Sequence, residues 1–198
     1  MKKYAVILGV CLSLLSFSQT ARAQAAEGGG GFEKGDLLLS PGISFGALGY
    51  GGYAGSGSGF LPLSASLEYS LDDKFAIGPY LGFYSRSYNF GSGLGNYKWT
   101  SLSFGAKGTV HATTLLNEAF DSNIDAEKID LFASAYLGVR TLSYSYDIAG
   151  INPYENNLRP RGGITIGGRY FFNPNVGAFL ELGYGAIGYT TLGVSFKF

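Results

Sequence analysis

The chain has 198 residues, with 32 glycines, 15 tyrosines and 15 phenylalanines but only 14 basic and 14 acidic residues. Glycine-rich chains are often disordered, but such chains lack apolar residues, and 46% of this chain is apolar, so disorder is excluded. A net charge of zero argues against the basic face that nucleic-acid binding requires, so we expect no nucleic-acid partner.

Residues 1–23 have the pattern of a secretory signal peptide. Two lysines precede an apolar run, and the small residues Ala21 and Ala23 predict cleavage after Ala23. A membrane anchor is the alternative, but the run is shorter than the ~20 apolar residues of a spanning helix. Acylation of Cys11 is disfavoured by the bulky residue before it. The pattern therefore predicts export of a chain without cysteine.

After a predicted flexible, glycine-rich lead-in over 24–35, apolar and polar residues alternate with period two. This alternation predicts one β-sheet domain over 36–198. Each alternating run is long enough to cross a bilayer as a tilted strand, which takes about 9–11 residues. The eight runs are about 36–49, 60–71, 75–88, 98–112, 131–146, 161–172, 176–185 and 189–198.

The connectors between these runs fall into two kinds. Residues 71–74 and 173–175 have the composition of tight turns, and the segment 113–130, on the same side, predicts a helical turn at the rim. Short turns on one side and long loops on the other are typical of outer-membrane barrels, with both termini periplasmic. The long, glycine-rich connectors are 49–59, 89–97 and 147–160.

The position of the charges separates a membrane barrel from a soluble one such as a lipocalin. A soluble barrel carries its charges outside, whereas a membrane barrel presents its apolar face to lipid and its polar face to the lumen. The charges within the strands are few and lie opposite the aliphatic face. We therefore predict an all-β fold, an eight-stranded antiparallel up-and-down transmembrane β-barrel. These charged residues are Glu68, Arg86, Lys107, Arg140, Arg169 and Glu181.

The last run ends in alternating aromatic residues, Phe196 and Phe198. It resembles the C-terminal signature of outer-membrane barrels, which the barrel-assembly machinery reads; the alternative is an ordinary amphipathic edge strand. The chain over 36–198 resembles the small eight-stranded barrels of the outer membrane protein A and X type. The helix-like insert Leu115–Ala119, before the strand that begins with Ile129–Leu131, resembles the bacteroidete variety of that family. The resemblance implies a Gram-negative outer-membrane location, in contact with lipid and lipopolysaccharide, and no catalytic residues.

Eight strands enclose a lumen that side chains can fill, so we do not predict a general porin. Glu68, Lys107, Arg169 and Glu181 lie at comparable heights when counted from the short turns, which predicts an internal ion-pair network with a structural role. The alternative is that trapped water solvates each charge separately. Arg86 and Arg140 lie farther toward the long loops and are equally compatible with the rim.

Tyrosines cluster near the long loops and phenylalanines near the short turns, which predicts two interfacial aromatic girdles. Carbohydrate stacking by the loop tyrosines is the alternative. The outer girdle is predicted to contain Tyr50, Tyr53, Tyr88, Tyr97, Trp99, Tyr144, Tyr146, Tyr184 and Tyr189, and the inner one Phe75, Phe171, Phe172, Phe196 and Phe198.

The sequence contains few residues suited to catalysis or metal binding. Its single histidine, His111, lies on the predicted periplasmic side, whereas a lipid A enzyme needs a Ser–His pair near the outer leaflet. One histidine and no cysteine in the mature chain predict no metal site, and we expect no cofactor. The predicted function is structural, in envelope integrity, or adhesion-like, with an extracellular partner at loop 147–160. The alternatives are a small-solute or lipid-related transport barrel and a lipid A-modifying enzyme.

Overall fold

The computed structural model describes residues 32–46, 56–59, 61–89, 96–147 and 154–198. All strands belong to one compact unit, Gly30–Lys197. The predicted signal peptide over 1–23 and most of the lead-in over 24–35 lie outside the described residues. In the part of the chain that is described, no helix is both long and apolar enough to cross a bilayer.

The described residues form strands joined by turns, with one helix after the fifth strand. The elements are β1 Leu37–Phe45, β2 Ser56–Gly59, β3 Leu63–Ser70, β4 Phe75–Asn89, β5 Asn96–His111, α1 Ala112–Phe120, β6 Ile129–Asp147, β7 Tyr154–Asn173, β8 Val176–Gly183 and β9 Thr190–Lys197.

The strands close into a barrel in which every pairing is antiparallel. The order around the barrel is β4, β3, β1, β9, β8, β7, β6 and β5, and β5 pairs with β4 to complete it. Because β2 and β3 both pair with β4, they form two parts of one barrel strand, with one extra residue between Gly59, opposite Arg86, and Leu63, opposite Phe83. The predicted eight-stranded antiparallel barrel is confirmed.

The seam of the barrel joins the first strand to the last. Leu38 lies opposite Lys197, and Phe45 lies opposite Thr190. Inside the seam, the hydroxyl oxygens of Ser40 and Ser195 are 2.9 Å apart, although the two residues are separated by 155 positions. The ring is therefore completed by residues from both ends of the described chain.

Tight turns at one end of the barrel, hereafter the turn end, use acidic or amide side chains to satisfy backbone groups. Asp72 Oδ1 accepts hydrogen bonds from the backbone N–H of Lys74 at 2.8 Å and of Phe75 at 2.7 Å. Asn173 Oδ1 accepts bonds from Asn175 and Val176 in the same way. These side chains favour turns because they replace the missing strand partners.

The helix α1 also lies at the turn end, as predicted for the connector after β5. Thr113 Oγ1 accepts a hydrogen bond from the backbone N–H of Leu131 at 2.7 Å, which attaches the helix to β6. Lys74 and Glu118 form an exposed ion pair at 2.8 Å. The helix ends at Phe120, and the next residue, Asp121, caps it with a left-handed φ of 50°.

At the opposite end, hereafter the loop end, β6 and β7 extend farther than the sequence predicted. The predicted loop 147–160 is wrong over 154–160, because Tyr154 pairs with Ser145 and Pro160 with Val139. Proline lacks the N–H group and is tolerated within strands at a sheet edge. Pro160 meets this condition, because β7 pairs with β8 only from Thr165 onward and Pro160 is paired with β6 alone. Residues 148–153 lie outside the described residues.

Side chains alternate across the barrel wall in the predicted sense. On β7, Ile164 and Ile166 are 70% and 64% exposed on the outer surface, whereas Thr165 and Arg169 are each 2% exposed inside. An apolar exterior around a polar interior is the arrangement of a barrel whose surroundings are lipid.

The predicted outer girdle is wrong for several of its members. Tyr88 and Trp99 are 3% and 6% exposed, because they continue the inward alternation of their strands. At the turn end Phe171 is also buried inside, whereas Phe172 is exposed as predicted. Tyr184 and Tyr189 are exposed at the loop end. Tyr97 and Tyr144 pack against the buried cluster that contains Trp99. Tyr50 and Tyr53 lie outside the described residues.

Candidate functional site

The centre of the lumen holds a three-residue ion-pair chain. Lys107 Nζ from β5 lies 3.2 Å from Glu68 Oε1 of β3 and 2.5 Å from Glu181 Oε1 of β8. All three side chains are at least 95% buried. One ammonium group therefore bridges two carboxylates and links strands that are not neighbours in the sheet.

Neighbouring hydroxyl groups complete the hydrogen bonding of both carboxylates. Ser66 Oγ donates to Glu68 Oε1 at 2.9 Å, and Thr109 Oγ1 donates to Glu68 Oε2. The Tyr136 hydroxyl donates to Glu181 Oε2 at 2.8 Å. Buried ion pairs are tolerated when the remaining oxygen atoms are bonded in this way. We call Glu68, Lys107 and Glu181 the central network.

Arg169, which the sequence grouped with the glutamates, forms its ion pair elsewhere. Its Nη1 lies 2.5 Å from Asp130 Oδ2, and its Nε donates to Ser195 Oγ at 2.9 Å. The other oxygen of Asp130, Oδ1, lies 3.0 Å from His111 Nδ1. Sequence reasoning missed Asp130 because it is the last residue of the predicted connector 113–130. The inward alternation of Tyr136, Ser134 and Phe132 on β6 extends to it and was a usable signal.

Phe32 covers the cluster of Arg169, Asp130 and His111 at the turn end. Its ring stacks on His111 with the centroids 3.9 Å apart, and it meets Phe171 edge-on at 5.8 Å. The cationic groups of Arg169 and Lys197 lie 5.5 and 5.6 Å from its centroid. Phe32 belongs to the segment predicted as a flexible lead-in, and the sequence did not single it out.

The connection between β8 and β9, residues 184–189, folds into the loop end of the lumen and is called the plug loop. Ile187 is 2% exposed and packs with Tyr84, Trp99 and Leu142. Arg161 donates a hydrogen bond to the carbonyl oxygen of Gly185. The sequence signal of this loop is an apolar dipeptide, Ala186-Ile187, between two glycines.

Between the central network and the plug loop the interior is nearly filled. The cavity there measures about 10 Å³ and is lined by Tyr80, Lys107, Tyr136, Glu181 and Ala186, among others. A water molecule needs at least about 10–15 Å³, so this space holds one water at most.

Arg86 and Arg140, the other two predicted lumen charges, lie on the inner face toward the loop end, away from the central network. The Arg86 guanidinium lies 5.1 Å from the Tyr88 ring centroid. Arg140 lies opposite Arg159 in the strand register. The structure therefore brings together three of the six predicted residues.

Phe196 and Phe198 lie at the end of β9. Phe196 is opposite Leu39 on β1 and Val176 on β8, and Phe198 is 49% exposed. Their role as an assembly signal stays a prediction. Among the described residues no group of three metal-type ligands occurs.

No protein-family model matches the chain, and no curated protein sequence does. Solved structures are similar. Ail, the attachment invasion locus protein of Yersinia pestis, in complex with the heparin analogue sucrose octasulfate, has a TM-score of 0.55 at 12% identity, over 84% of this chain and 100% of that chain. The N-terminal β-barrel domain of Pseudomonas aeruginosa OprF has a TM-score of 0.43 at 17% identity, over 84% and 98% of the two chains. Neisserial surface protein A has a TM-score of 0.40 at 12% identity, over 82% and 94%. The closed ring of antiparallel strands, its apolar exterior and the likeness to Ail together show that this chain has the fold of the small eight-stranded outer-membrane β-barrels.

Proposed function

We propose that the protein is an outer-membrane barrel with a closed lumen, whose role is structural and directed to the cell surface. This proposal rests on the filled interior of the barrel. The central network and the plug loop leave a space of about 10 Å³ between them, which is too small for a solute path.

The surface part of the role rests on the β6–β7 hairpin. Its strands are 19 and 20 residues long, about twice what a bilayer crossing needs. The hairpin, like the β4–β5 hairpin that pairs with it up to Asn96 and Asp147, therefore extends beyond β8, whose Gly183 lies opposite Thr165. Ail, similar in fold, was solved with a heparin analogue, so sulfated glycans are one class of surface ligand to test.

Several predictions from the sequence remain parts of this proposal. Residues 1–23 direct export, and Phe196 and Phe198 direct insertion through the barrel-assembly machinery. Lipopolysaccharide of the outer leaflet surrounds the inserted barrel. The kinship with the bacteroidete variety is supported by α1, which occupies the predicted insert. We propose no catalytic role, because His111 is held between Asp130 and Phe32 at the turn end, away from the outer leaflet.

The experiment has three parts. Cell fractionation with heat-modifiable gel mobility tests the outer-membrane location, and planar-bilayer recordings test the closed lumen; we expect no sustained current. Attachment of expressing cells to host-cell monolayers is then compared after residues 148–153 are replaced by a glycine–serine segment of equal length. The matched control replaces residues 91–95, and we expect only the first exchange to reduce attachment.

A steady channel current after most insertions would contradict the closed lumen. Equal attachment by the exchanged and parent proteins would contradict the surface role of this hairpin. Mass spectrometry of lipid A from expressing cells tests the enzymatic alternative, and we expect no change in acylation.

A further inference from the structure

Three arginines lie together on the inner face at the loop end. Arg140 of β6 lies directly opposite Arg159 of β7, and Arg161 is the diagonal neighbour of Arg140. Residues directly opposite in an antiparallel pair have Cβ atoms about 4.5–5.5 Å apart, and diagonal neighbours lie about 7–8 Å apart. Like charges placed opposite each other destabilise a sheet. We call Arg140, Arg159 and Arg161 the arginine cluster.

The arginine cluster differs from Lys107 and Arg169 in having no acidic partner among the described residues. Lys107 and Arg169 each form ion pairs shorter than 3.5 Å, whereas none of the three arginines takes part in a salt bridge within the described chain. The Nε atoms of Arg140 and Arg161 are buried and have no hydrogen-bond partner there. Buried donors left without a partner are costly, so an acceptor is expected.

The arginine cluster is also partly rigid and partly open. Arg161 is 4% exposed, donates to the Gly185 carbonyl oxygen and lies 4.2 Å from the Tyr184 ring centroid. These contacts fix its guanidinium group. Arg159 is exposed, so the arginine cluster can be reached from the loop end.

We propose that the arginine cluster binds an oxyanion, the sulfate or phosphate ester of a larger molecule. The planar guanidinium fork matches two oxygen atoms of such a group, and the charge of the anion relieves the repulsion between Arg140 and Arg159. This site goes beyond the proposed function, because it is a ligand site in the lumen mouth and stands whether or not residues 148–153 bind a partner.

The test uses the full-length folded barrel in a non-ionic detergent. Its melting temperature is measured against inorganic sulfate, inorganic phosphate and chloride at matched ionic strength. Binding to the folded state raises the melting temperature as the logarithm of the ligand concentration. We expect this rise with sulfate and phosphate but not with chloride. Equal effects of all three salts would overturn the proposal.

Matched variants assign the effect to the arginine cluster. In R140Q/R159Q the apparent sulfate affinity should fall about tenfold or more, since two charge-assisted contacts are lost. Without added anion this variant should melt at or above the parent temperature, because the like-charge pair is gone. The control is K98Q, which removes one exposed cation on the outer face near the same end. Unchanged sulfate binding by R140Q/R159Q would refute the assignment.

Two nanodisc compositions distinguish the sources of the ester. If lipopolysaccharide supplies the natural phosphate, discs containing it should suppress the sulfate effect that discs of phosphatidylcholine alone retain. Equal sulfate binding in both discs supports a soluble ester as ligand. Absence of the effect in both discs would overturn the site. Failure here leaves the attachment result of the hairpin exchange unaffected, so the two proposals fail separately.

Discussion

Lys107 Nζ and Glu181 Oε1 meet at 2.5 Å inside the barrel, although the two residues are 74 positions apart and their strands are not neighbours. The contact spans the lumen from β5 to β8, and Glu68 extends it to β3 at 3.2 Å. The central network therefore braces the barrel wall from within, independently of the pairing between adjacent strands.

Replacing Lys107 with methionine should destabilise the barrel more than replacing Glu181 with alanine. K107M leaves two buried carboxylates without a counter-ion, a loss of about 3–5 kcal/mol. In E181A the Lys107–Glu68 pair survives, and the unpaired Tyr136 hydroxyl accounts for a smaller loss of about 1–3 kcal/mol. Urea unfolding followed by heat-modifiable gel mobility measures both. The control is K98M, and equal midpoints for K98M and K107M would exclude a structural role of the central network.

Replacing Phe32 with alanine should loosen the turn end. The substitution removes a ring that is 8% exposed and stacked on His111, so we expect a loss of up to about 3–5 kcal/mol. Phe120 on α1 is 75% exposed, and F120A at the same end is the control with little expected effect. Urea midpoints measure both variants. A midpoint for F32A that equals that of F120A would show that the ring contributes no packing.

Replacing Ile187 with alanine should change the environment of the chain's single tryptophan. Ile187 packs against Trp99 at the loop end, so the cavity left by I187A should shift the tryptophan emission to longer wavelength and reduce stability by about 2–5 kcal/mol. In I164A an exposed residue of the outer face is changed, and the emission should stay as in the parent. An unchanged emission maximum in I187A would place Trp99 outside the influence of the plug loop.

The exposed ion pair between Lys74 and Glu118 at the turn end should make the stability of the barrel depend on pH. The hydrogen bond from Lys74 to Glu118 raises the pKa of Lys74 above its ordinary value of 10.5. A raised pKa in the folded state means that the pair stabilises the barrel below about pH 10.5, and this contribution disappears as the pH rises through the folded-state pKa. In E118Q, NMR titration of the Lys74 side chain should give a lower pKa than in the parent. Identical titration curves would exclude the pair in solution.

Much of the fold follows from the period-two pattern, because one inward residue fixes the face of every other residue in its strand. The inward positions of Glu68, Lys107 and Glu181 could be obtained in this way. Residue type alone places Tyr88 and Trp99 in an outer girdle, whereas the alternation that puts Tyr84 and Ser101 inside places them in the lumen. The alternation was the more reliable signal.

Contacts across the lumen could not be obtained from the pattern. Barrel strands are tilted and staggered, so equal residue counts from the turns do not give equal heights. Arg169 therefore reaches Asp130 instead of Glu68. The burial of Phe32 and Ile187 depends on the width of the finished barrel, which no local period encodes.

The seam between β1 and β9 determines when folding can finish. Ser40 contacts Ser195 although 155 positions separate them, so the ring cannot close until β9, the last strand, pairs with β1. Until then β1 has an unpaired edge, which can pair with other chains and cause aggregation. Contacts this distant in sequence also form slowly. The chain must therefore exist as an incomplete sheet before β9 pairs with β1, and in that interval the free edge of β1 has to be shielded from other chains.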